Sequence, residues 1–100
     1  MSYAKFGTLL AANRYVEMLT AAGATPVNAT QIEGGDTTSL NHLLWMCLEL
    51  ARNVFEDDMP VDKYSRWLGF IQGCLICKGL TTVETERNIT RPWFTKGTVE

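Results

Sequence analysis

Apolar residues recur every three or four positions along most of this 100-residue chain, and glycine and proline mark the breaks in that pattern. Leu9, Ala12, Val16 and Leu19 predict a first helix from about Thr8 to Ala22. Gly23 supplies its stop, because glycine takes the left-handed conformation just past a helix end. Residues 25–36 hold Pro26 and the Gly34-Gly35 pair and show no period, which predicts a linker or a loop laid over the surface. Leu40, Leu43, Leu44, Cys47, Leu50, Ala51 and Val54, joined by Phe55, form the inward stripe of a second helix. It should start near Thr37 or Thr38, with Asp36, Thr37 or Thr38 capping its first free amides. Trp45, Glu49, Arg52 and Glu56 fall on another face, and Glu49–Arg52 and Arg52–Glu56 have the spacing of weak helical ion pairs.

Asp57-Asp58-Met59-Pro60 reads as a stop and restart. Pro60 suits the first position of a new helix, where its missing N–H costs nothing, with Asp58 or Met59 as the cap. A third helix then runs to about Lys78. Val61, Tyr64, Leu68, Ile71 and Leu75 make its stripe, bordered by Trp67, Cys74 and Lys78, and Gly79 ends it. Thr81-Thr82-Val83-Glu84 has the pattern of a capping box and predicts a short fourth helix over about Thr82 to Asn88. Arg91-Pro92-Trp93-Phe94 follows as an irregular aromatic tail. The expected fold is all-α, a small helical bundle in one domain. A central antiparallel helical hairpin (37–80) is preceded by an N-terminal helix (1–24) and a loop (25–36), and followed by a short helix and tail (81–100).

Composition narrows the function classes. A hydrophobic content of 46% excludes a wholly disordered chain. The net charge of −2 gives no general pull toward nucleic acid or an anionic membrane. Glu49, Glu56, Asp57, Asp58 and Asp62 gather round the hairpin turn. Lys63, Arg66, Lys78, Arg87, Arg91 and Lys96 dominate the C-terminal third against Glu84, Glu86 and Glu100. An acidic turn disfavours a duplex-DNA role. The N-terminus lacks a basic region followed by an apolar run, and no apolar run approaches the roughly 20 residues that span a bilayer. The expectation is a cytoplasmic protein with no membrane partner, in which the sequons at Asn28 and Asn88 are chance matches.

The candidate chemistry is sparse. Cys47, Cys74 and Cys77 are odd in number and lie in apolar helical segments, so no disulfide framework is expected. Cys74-Leu75-Ile76-Cys77 has redox or half-zinc spacing, but no second ligand pair exists, and buried small hydrophobes are the better reading. His42 is the sole histidine and reads as structural. Solvation and helix capping account for Asp57, Asp58 and Asp62. No enzyme, cofactor or metal is expected. Gly69 and Gly73 cost a helix roughly 1 kcal/mol each relative to alanine. Close approach of another backbone would compensate, either the second helix or a second protomer. Three Trp and four Phe crowd the interior of so small a domain, which favours a homo-oligomer, most simply a dimer, with helix 60–78 in its interface. Arg66, Trp67, Arg87, Arg91, Trp93 and Phe94 interleave cations with rings. Such a set suits stacking on a nucleotide base and pairing with a phosphate, or ordinary packing under arginine stems. If the tail is free, Trp93 and Phe94 make an anchor for a protein partner.

SLNHLLWM (Ser39 to Met46), followed by RWLGFIQG (Arg66 to Gly73) and GLTTVE (Gly79 to Glu84), resembles a group of small uncharacterised proteins of tailed phages and prophages. The likeness runs from about Ser39 to Phe94. It implies a phage origin and a place in the host bacterial cytoplasm. Small phage proteins of this kind look like binders of host machinery or counter-defence factors. The expected function is therefore a non-enzymatic accessory protein that binds and modulates a host protein. The alternative is a small-ligand binder that sequesters a nucleotide signal at a helix or protomer interface.

Overall fold

The computed structural model describes residues 3–56 and 59–94. Asp57 and Asp58 of the expected hairpin turn, and Lys96 and Glu100 of the tail, lie outside the described residues. The fold is an all-α bundle of α1 (Tyr3–Ala21), α2 (Leu40–Glu56), α3 (Val61–Cys77) and α4 (Val83–Thr90), with 3-10 turns at Ala29–Gln31 and Arg91–Phe94.

Helix α1 begins five residues before the predicted Thr8 and is buried on most of its circumference. Among its described side chains only Phe6, Asn13, Glu17, Thr20 and the terminal Ala21 are exposed. Its inward residues are Ala11, Ala12, Tyr15 and Leu19, with Val16 half-buried beside them. Both α2 and α3 pack on α1, and α1 lies along α2 more extensively than α3 does. The N-terminal helix thus docks on its own chain and fills the hairpin. Leu43, Leu44, Cys47 and Leu50 of α2 and Tyr64, Leu68, Ile71 and Leu75 of α3 complete the core, with Met59 closing it at the turn. Tyr64 ties the two arms together by donating its hydroxyl to the Asn53 carbonyl at 3.0 Å.

Both glycine stops work as expected. Gly23 (φ 90°) and Gly79 (φ 77°) take the left-handed conformation. The following amides reach back to Leu19 and Leu75 carbonyls at 3.0 Å, which satisfies groups the helix end would leave bare. The loop between α1 and α2 is laid over the start of α2. Its Thr25 amide bonds the Asn41 side chain at 2.9 Å, and its Ala29 amide bonds His42 Nδ1 at 3.1 Å.

Several local expectations are corrected. Ser39, not Asp36, Thr37 or Thr38, caps α2: its hydroxyl accepts from the His42 amide at 3.2 Å. Asp36 is instead occupied by Thr38, whose amide and hydroxyl it accepts at 2.8 and 2.6 Å. Pro60 is itself the cap of α3, with extended backbone, so the helix starts at Val61. Val61 falls outside the buried stripe and is exposed. Phe55, expected to point inward, is 71% exposed. It lies one residue past Val54, and that 100° step carries it off the core face. The Thr81–Glu84 capping box does not form. Thr82 is the cap, accepting from the Thr85 amide at 3.1 Å, so α4 starts at Val83 and runs two residues past Asn88. The Arg91–Phe94 tail is a 3-10 turn, not irregular.

Candidate interaction surfaces

The residues singled out for binding divide between two sides of the bundle. Trp67 of α3 packs half-buried against the core beside Trp45 of α2, ring centroids 6.1 Å apart and tilted by 41°. His42 also stacks on Trp45, ring centroids 5.5 Å apart. Its Nδ1 accepts the Ala29 amide, which makes it a structural histidine joining loop to helix. Lys63 lies over Trp67 at 5.5 Å, and a cation over an indole face is favourable. Arg66 is exposed and meets Asp62 at 3.8 Å, a loose surface pair. Next to Trp45, the outer stripe of α2 carries Leu48 (41% exposed) and the exposed Phe55. Between them Arg52 holds Glu49 at 2.8 Å and also pairs with Glu56, the two ion pairs the helical spacing predicts.

Trp93 and Phe94 sit elsewhere. Trp93 packs against the core, and the Phe94 ring lies beside Gly7 of α1. A methyl group on Gly7 would come within 2.7 Å of that ring and 2.8 Å of the Trp93 carbonyl oxygen. Gly7 is therefore a glycine demanded by close approach, and helical spacing alone does not reveal it. Arg87 and Arg91 are exposed on the C-terminal arm. Gln72 of α3 faces that arm, hydrogen-bonding Tyr15 at 2.8 Å. Trp67 lies five residues earlier, about 140° round the helix. The expected set of Arg66, Trp67, Arg87, Arg91, Trp93 and Phe94 is thus not gathered into one pocket.

Gly69 and Gly73 do not pack against the second helix. Among the described residues, a methyl group on either would meet nothing within 4 Å. They line instead an open concavity of about 400 Å³, walled by Thr38, Phe70, Cys74, Cys77 and Lys78. The groove is largely apolar, and its cation, Lys78, stands at the C-terminal end of α3. Burial, opposed by Lys78 and reinforced by Cys77 and Asp36, raises the Cys74 thiol above its ordinary range. Cys47 is pushed up to about 12 by burial alone, so it stays a protonated core residue. Among the described residues no group of three or more His, Cys, Asp or Glu side chains could hold a metal ion, and no helix is long and apolar enough to cross a membrane.

One polar cluster is invisible to local pattern. Glu86 of α4 is only 4% exposed. Its carboxylate accepts from Arg14 at 2.9 Å, from the Tyr15 hydroxyl at 2.5 Å and from the Thr81 hydroxyl at 2.6 Å. Burial works against the charge, but these donors outweigh it and hold the Glu86 carboxyl below the usual glutamate range. Arg14, hydrogen-bonded to Glu86, is raised in turn, and burial together with Glu86 raises Tyr15. The network fastens α4 to α1 and, through Tyr15 and Gln72, to α3. Comparison with protein families, curated proteins and solved structures yields no match to this chain.

Proposed function

We propose that this chain is a non-enzymatic binding protein: a small phage accessory protein that works as a homodimer in the host bacterial cytoplasm and modulates a host protein, as a counter-defence inhibitor would. The observation that carries the reading is the apolar surface left uncovered on α2, where Leu48 and Phe55 stand exposed beside the Trp45–Trp67 pair. Aromatic side chains rimmed by arginine are the usual anchors of protein interfaces. The groove over Gly69 and Gly73 supports self-association. Two glycines are costly on an exposed helix face, and a second helix crossing there would recover that cost through close backbone contact.

The test is capture from host lysate with the folded, tagged chain and with a Leu48→Asp/Phe55→Asp variant. A host protein retained by the first and released by the second is expected. Nothing recovered above background by either bait overturns the proposal. A nucleotide-sequestering role has no such support, because its cations and rings are divided between the α3 side and the C-terminal arm.

A further inference from the structure

The C-terminal arm, residues 79–94, is attached differently from the rest of the bundle. Helices α1, α2 and α3 interlock through leucine, isoleucine, alanine and tyrosine side chains. Helix α4 buries two side chains, Glu86 and Thr90, and both are polar. Its Val83 and the preceding Leu80 are exposed. The arm is held by the hydrogen bonds from Arg14 and Tyr15 of α1 to Glu86, by Trp93 on the core and by Phe94 beside Gly7. It begins at Gly79, whose positive φ already turns the chain sharply.

We propose that residues 79–94 form a strap fastened by the Glu86 carboxylate, which swings out about Gly79 as one unit while the three-helix core stays folded. Segments with few buried apolar contacts open at a lower free energy than the core they rest on. Opening uncovers the side of α1 that carries Gly7 and Tyr15, a face distinct from both surfaces on α2 and α3. The groups that face the carboxylate are Arg14 and Tyr15 of α1 and Thr81 of the arm, with Gln72 of α3 behind Tyr15. None of them replaces the negative charge once it is gone. Protonation of Glu86 is therefore a natural release: the fastening is complete above the ordinary glutamate range and is lost as pH falls through the lower value Glu86 has in the folded chain.

Native-state hydrogen exchange on the full chain tests the strap. In the wild-type protein the amides of Arg87 to Arg91 should exchange through an opening at least tenfold more frequent than that of α2, and insensitive to mild denaturant. Glu86→Gln should lower arm protection by roughly ten- to a hundredfold, while α2, which exchanges only when the whole bundle unfolds, falls by no more than that factor and stays the better protected. Equal protection of arm and α2 in the wild type would overturn the proposal, because the bundle would then open as one unit. So would a Glu86→Gln chain whose arm keeps its wild-type protection. If that variant fails to fold, the wild-type comparison decides by itself.

Discussion

A methyl group on Gly7 would press on the Trp93 carbonyl oxygen, a backbone atom that cannot swing aside, whereas one on Gly73 would meet open space. The two substitutions should therefore have opposite signs. Gly7→Ala gains about 1 kcal/mol of helix propensity but forces the 3-10 turn outward, for a net loss of roughly 1–3 kcal/mol in denaturant unfolding. Unchanged or raised stability would mean that the turn does not rest there. Glu86 makes the second case. Glu86→Gln leaves Tyr15 and Arg14 without their charged acceptor and should cost about 1–3 kcal/mol near neutral pH. Because the folded carboxyl lies below its unfolded value, the wild-type advantage is full above the ordinary glutamate range and vanishes as pH falls through the folded value. Stability curves of the two proteins should converge in acid. Curves that stay parallel would show that the charge is not what matters. Neither residue was legible in the sequence. Tyr15 and Glu86 stand 71 positions apart, and Glu86 in isolation looks like any surface glutamate on a short helix.

At the scale of elements, period and punctuation carry far, and competition between neighbouring polar residues sets the limit. The stripes of α2 and α3 and the stops at Gly23 and Gly79 were readable because each rests on local spacing. The starts of α2 and α4 were not. Asp36, Thr37, Thr38 and Ser39 can all cap, and so can Thr81 and Thr82. Which one does so depends on what else needs bonding: Thr81 is drawn to Glu86, which leaves Thr82 to cap. Thr82→Ala should accordingly cost about 1 kcal/mol and should loosen α4 before any other helix, measurable as amide exchange that becomes fastest in that helix. The Phe55 assignment erred at the stripe's edge, where a single 100° step decides between core and solvent. Phe55→Ser should change stability by less than about 0.5 kcal/mol. A loss of several kcal/mol on thermal unfolding would return Phe55 to the core.

For the whole molecule, the glycine pair connects stability to assembly. Within one chain Gly69 and Gly73 weaken α3 with no compensating contact among the described residues, since none of these approaches where their side chains would be. A feature that costs the monomer can persist if the dimer recovers it, and the groove beside Phe70, Cys74 and Cys77 is open to receive a second helix. Replacing Gly73 with Leu separates the two contributions. In dilute solution, where monomers dominate, the variant should be the more stable by up to about 1 kcal/mol, which is roughly 4–8 °C in a domain of this size. In concentrated solution the wild type gains from dimerisation by mass action, while the bulky side chain blocks the crossing in the variant. The wild-type melting temperature should thus climb with concentration and that of Gly73→Leu should stay flat, so that the two lines draw together and cross. Light scattering should report a dimer for the wild type at tens of micromolar and a monomer for the variant. A wild-type monomer at that concentration, with a flat melting temperature, would remove self-association from the proposed function. A variant that remains dimeric would move the interface to the apolar stripe of α2.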